Sequence, residues 1–150
     1  MDKLHRYARN FIKTHFDGLK VKQSNENSYE YKKDIIRLNL RDDDDFGFLR
    51  HLRETHGCQK LNDKLMLWTI LHEVGHYMTQ DDITEEEYAV DMATKAICAV
   101  ISKETAELKN VQNMYFDAPS EWHATEWAVE WVEDNYEEAS KIAKELESLR

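Results

Sequence analysis

The sequence predicts a mostly helical α+β domain carrying a small antiparallel sheet. Three observations predict it. Apolar residues recur at three- and four-residue steps in several segments. Only the stretch from Leu19 to Leu40 changes to a two-residue period. One proline and four glycines leave few of the breaks that a loop-rich all-β fold needs.

Leu4, Tyr7, Ala8, Phe11, Ile12 and His15 share one helical face, and Asp17-Gly18 ends that helix. Leu19/Val21, Tyr29/Tyr31 and Ile36/Leu38/Leu40 then alternate with polar residues around the turn cluster Ser24–Asn27, which gives the sheet. The run Asp42–Asp45 reads as a solvated loop. Phe48, Leu49 and Leu52 form a short helix stopped at His56-Gly57. Asn62 or Asp63 caps the next helix, which runs to about Met78 and is apolar on nearly all sides, so it is central and buried. Thr84 and Glu87 make a capping box for a helix whose inner face is Ala89, Met92, Ala93, Ala96, Ile97 and Val100. Asn110–Ala118 is a connection. Pro119-Ser120 opens a last long helix with Ala124, Trp127, Ala128, Trp131, Ala139, Ile142 and Leu146 inside and Trp122 outside. With no repeat, low-complexity tract or linker, residues 1–150 read as a single domain.

The formal charge of −10 repels phosphate backbones and argues against a nucleic-acid partner. Cys58 and Cys98 lie far apart and form no metal-binding pair, which fits a reducing compartment. The N-terminal stretch lacks the apolar run of a signal peptide, and no segment has the length of a membrane span. The expectation is a cytoplasmic protein without a membrane partner.

The stretch Leu71–Tyr77 reads LHEVGHY. Residues four apart on a helix sit one above the other, so His72 and His76 can present both imidazoles to one cation. Neutral nitrogens in this arrangement suit Zn2+. Glu73 can reach a water beside such an ion and take its proton, the general-base role in metal-assisted hydrolysis. Gly75 lets another segment approach the helix closely. The competing reading buries two histidines and a glutamate, without partners, on the most apolar helix of the chain. Each would cost about 1–3 kcal/mol.

A catalytic zinc keeps three protein ligands and an open position. At 100° per residue, Glu121 falls on the apolar face of the last helix and calls for a partner there. Glu86 faces inward on its own helix by the same count, but follows His76 closely. His123 lies at the edge of the face. Asp82 has a compact metal-site spacing but lacks the glycine expected at Thr79. The order is Glu121, Glu86, His123, Asp82.

HEVGHY at 72–77 and EWHATEWA at 121–128 resemble the zincin metallopeptidases, specifically gluzincin-like small proteins of the ImmA/IrrE type found in phages and mobile elements. The resemblance implies His72, His76 and Glu121 as metal ligands, Glu73 as the base, and an N-terminal helix, small sheet, active helix and ligand helix in that order. Thr125 stands where relatives often carry Asn or Asp. Such relatives cleave cytosolic regulators, in the host cytoplasm where phage-encoded.

The expected function is therefore a zinc metalloendopeptidase acting on a protein or peptide. Its rival is a binding protein on the same scaffold, inhibiting a host factor through its acidic surface without proteolysis. A purely structural zinc ranks last, because such sites usually have four ligands, often cysteines.

Overall fold

The computed structural model describes residues 1–101 and 108–150. It is a mostly helical α+β fold, as the periodicities predict. Helix α1 (Lys3–His15) is followed by β1 (Lys20–Gln23), β2 (Ser28–Glu30) and β3 (Ile35–Leu38). Helices α2 (Phe48–Glu54) and α3 (Leu65–Thr79) lead through a 3-10 turn at Gln80–Asp82 to α4 (Glu85–Ile101). Then come α5 (Leu108–Asp117), α6 (Pro119–Asp134) and α7 (Tyr136–Leu149).

Asp2 starts α1 by accepting the His5 backbone N–H at 2.9 Å. Leu4, Ala8, Phe11 and Ile12 form its buried stripe. Gly18, at φ +86, turns the chain into the sheet. That sheet is mixed, not wholly antiparallel as expected. Its order is β1-β3-β2, with β1 parallel to β3 and β2 antiparallel to β3. The reason is burial. Ile35, Ile36 and Leu38 make β3 the most apolar strand, so it takes the centre and separates β1 from β2. Alternation marks strands but does not choose their neighbours.

The acidic run is a self-satisfied loop. Asp42 accepts the Asp44 N–H, Asp44 accepts that of Phe46, and Asp45 accepts those of Gly47 and Leu49 at the start of α2. Helix α3 is the buried centre, with Leu67, Trp68, Ile70, Leu71 and Val74 almost wholly enclosed. Neither Asn62 nor Asp63 caps it. Trp68 Nε1 instead donates to the Leu61 carbonyl at 2.7 Å and ties down the incoming turn. One apolar core cluster joins α1, the sheet, α2, α3, α6 and α7.

Three expectations fail beyond α3. Helix α4 forms with its Thr84–Glu87 capping box, but its expected inner face points outward. Met92, Ile97 and Val100 are exposed, while Asp91 and Cys98 are buried. Asn110–Ala118 is mostly helix α5, because Val111 and Phe116 bury themselves against the body despite polar neighbours. The last long helix is two helices, broken at Asn135, whose φ of −130 and ψ of 40 leave the helical region. Trp127 and Trp131 pack edge-on against Phe16 and Phe11 as inner-face residues. Trp122 is not free on the outer face, for its ring lies over His56 at 4.2 Å. No described helix is long and apolar enough to cross a membrane.

Candidate metal centre

His72 and His76 rise one turn apart on α3, their ring centres 4.7 Å from each other. Glu121 enters from the first turn of α6 and is 4% exposed. Its Oε1 lies 3.0 Å from His72 Nε2 and its Oε2 lies 3.0 Å from His76 Nε2. Two imidazole nitrogens and one carboxylate oxygen thus stand within 4.8 Å of one another, a group that could hold a metal ion. No other such group of three or more His, Cys, Asp or Glu residues occurs among the described residues.

Close helix packing makes this possible. A Cβ built on Gly75 would lie 2.3 Å from the Ala124 carbonyl oxygen and 2.9 Å from Ala124 Cα. Only a glycine lets α6 lie this near α3, and Ala124 and Ala128 supply matching small side chains on the other side. The start of α6 is fixed from α4. Asp91 Oδ1 accepts the Ser120 N–H at 2.8 Å and the Ser120 hydroxyl at 2.6 Å, with Pro119 in the first turn. Glu121 is the next residue, so its carboxylate is aimed by this cap.

The other proposed ligands lie elsewhere. Glu86 is exposed at the start of α4, because that helix is rotated relative to its apolar count. His123 is engaged with Glu87 at 2.8 Å. Asp82 is exposed in the 3-10 turn.

Thr125, fully buried, places its hydroxyl 3.2 Å from His72 Nδ1. This contact orients the ring and leaves Nε2 facing Glu121. Glu73 is 7% exposed. Burial pushes its carboxyl up to about 7, with the charge of Glu121 adding and His72 and Lys95 opposing. For Glu121, burial acts upward too, but His76 and His72 overcome it and hold the carboxyl well below the usual range.

Sequence reasoning missed Lys95. Its Nζ lies 3.0 Å from Glu121 Oε2, 2.8 Å from Ser120 Oγ and 3.3 Å from Asp91 Oδ2. One signal was available. Between Tyr88 and Ile101 the only charged residues are Asp91 and Lys95, one turn apart. Tyr115, on α5, stands with its ring centre 5.6 Å from Lys95 Nζ. Burial, then the charges of Glu121 and Glu73, push its phenol far above the ordinary range, so the hydroxyl keeps its proton.

Two imidazole nitrogens and one carboxylate oxygen within 4.8 Å of one another are a donor set that suits a divalent metal ion. No family model matches the chain, and no curated protein or solved structure matches it.

Proposed function

We propose that the protein is a zinc-dependent endopeptidase of the zincin type, similar to ImmA/IrrE proteins, that hydrolyses peptide bonds of a cytosolic regulatory protein. The observation that carries this reading is the convergence of His72, His76 and Glu121 with Glu73 buried beside them. A purely structural site would have no use for that extra carboxylate.

A zinc ion held by His72, His76 and Glu121 would polarise the scissile carbonyl and acidify water. Glu73 takes the proton from the attacking water and returns it to the leaving amine. Tyr115, whose ring centre stands 5.6 Å from Lys95 Nζ beside Glu121 and whose phenol keeps its proton, would be the donor for the oxyanion that develops on the carbonyl. Strand β2 leaves one edge unpaired among the described strands, and Tyr29 anchors it to the end of α3 through Gln80 at 2.9 Å. An extended substrate could add to that edge by β-pairing. The buried free thiols Cys58 and Cys98 suit a reducing compartment.

The test is Glu73→Gln. It should retain stoichiometric zinc and lose cleavage by about 100-fold or more, the range for a general base. Unchanged cleavage of a confirmed substrate refutes the base. Partner capture that survives both Glu73→Gln and chelation would favour the rival reading, a zincin-fold binding protein that acts through the acidic surface.

A further inference from the structure

We propose that Lys95 is a positioning residue of the metal centre: its ammonium occupies Glu121 Oε2, so that Oε1 is the oxygen offered to a divalent cation. The inference rests on the metal-centre reading above and extends it to how the donor set is limited.

The two oxygens of Glu121 are unequally loaded. Oε1 has His72 Nε2 at 3.0 Å. Oε2 has His76 Nε2 at 3.0 Å and Lys95 Nζ at 3.0 Å. A carboxylate free at both oxygens can bind a cation with either or both. One already held by a charge-assisted hydrogen bond from an ammonium keeps that oxygen occupied. A carboxylate restricted to one metal bond leaves the ion three protein ligands and an open position, which a hydrolytic centre requires.

The Lys95 side chain is 32% exposed, but both carboxylates it meets are buried. The Asp91 and Glu121 side chains are 8% and 5% exposed, and their two charges need a cation between them. Asp91 also caps α6 through Ser120. The same three residues therefore fix where Glu121 sits and which of its oxygens is held. All the charge of α4 between Tyr88 and Ile101 faces this point, while Val90, Met92, Ile97 and Val100 stand in solvent.

The experiment is cobalt(II) substitution of the purified chain, read by visible absorption, in wild type, Lys95→Met and Lys95→Arg. Four-coordinate cobalt absorbs more strongly than five- or six-coordinate cobalt. In Lys95→Met the released Oε2 joins the ion, and the band should lose intensity. Lys95→Arg keeps a cationic donor and should restore the wild-type band. Thermal melts of the metal-free variants establish that each is folded. Weakened absorption, or loss of cobalt from folded Lys95→Met, together with rescue by Lys95→Arg, supports the role. A Lys95→Met spectrum equal to wild type overturns it, as does equal loss in both variants. Wild-type protein that takes up no cobalt overturns the metal centre itself, and the role of Lys95 with it.

Discussion

Among the described residues, two histidine pairs, each with one buried member, are built differently. His72 and His76 share one carboxylate, Glu121, whose side chain is only 5% exposed. His51 and His56, with ring centres 5.2 Å apart, each have a carboxylate of their own. His51 Nε2 meets Asp117 at 2.7 Å and His56 Nδ1 meets Glu126 at 2.8 Å. Those acids are 54% and 44% exposed. A shared, buried acid draws three ligand atoms to one point. Separate, solvated acids draw the two rings outward, so that His51 and His56 fasten α2 and the turn after it to α5 and α6. Two histidines and acids in contact do not make a metal site. Convergence of the donor atoms does.

The largest effect should come from breaking the convergent pair. Glu121→Gln is expected to weaken zinc binding by more than about 100-fold, beyond the range for outer partners of a metal ligand. Glu126→Gln, the matching change at the other pair, should leave zinc stoichiometry intact. Its cost is about 1 kcal/mol of stability, because Glu126 is partly solvated. Metal titration of both proteins checks this. Equal zinc affinity in the two variants would erase the distinction between the pairs.

Next is the packing that brings Glu121 to the histidines. On helix propensity alone, Gly75→Ala would stabilise α3 by about 1 kcal/mol. Against this, the new methyl meets the Ala124 backbone at 2.3 Å, and a helix backbone cannot swing aside as a side chain can. Overpacking of this kind costs about 1–3 kcal/mol. The melting temperature should fall, and zinc affinity with it, because α6 carries Glu121. A more stable Gly75→Ala protein with full zinc affinity would show that close approach does not position the ligand.

The contrast also explains what the sequence could reveal. His72, His76 and Glu121 were legible because helical angles place each on a definite face, and a buried carboxylate needs a partner. The capping box at Thr84 and Glu87 was legible for the same local reason. The facing of α4 was not. Its apolar residues outnumber Asp91 and Lys95, yet these two make the interactions with Ser120 and Glu121 that fix the helix, and so they point inward. Thr125 and Ser120 gained their roles from the α3–α6 and α4–α6 packing, which no local pattern encodes. Helix α5 was hidden because Val111 and Phe116 are its only buried side chains.

The smallest effect belongs to the solvated pair, and its sign is fixed by burial. Burial holds the His56 imidazole below its ordinary value of 6.5, while Glu126 pulls it partly back and His51 adds to the lowering. The unfolded chain therefore binds a proton at a pH where folded His56 does not. The resulting stability is complete above about 6.5 and is lost as the pH falls through the folded value. Removing Glu126 takes away the partner that raises the pKa, so Glu126→Gln should steepen the loss on acidification. His56→Gln should flatten it. Urea unfolding at about pH 7.5 and about pH 5.5, either side of the ordinary histidine range, measures the difference. If the three proteins lose stability in parallel, His56 is not the group that titrates, and the second pair is held together by packing against Trp122 rather than by its charges.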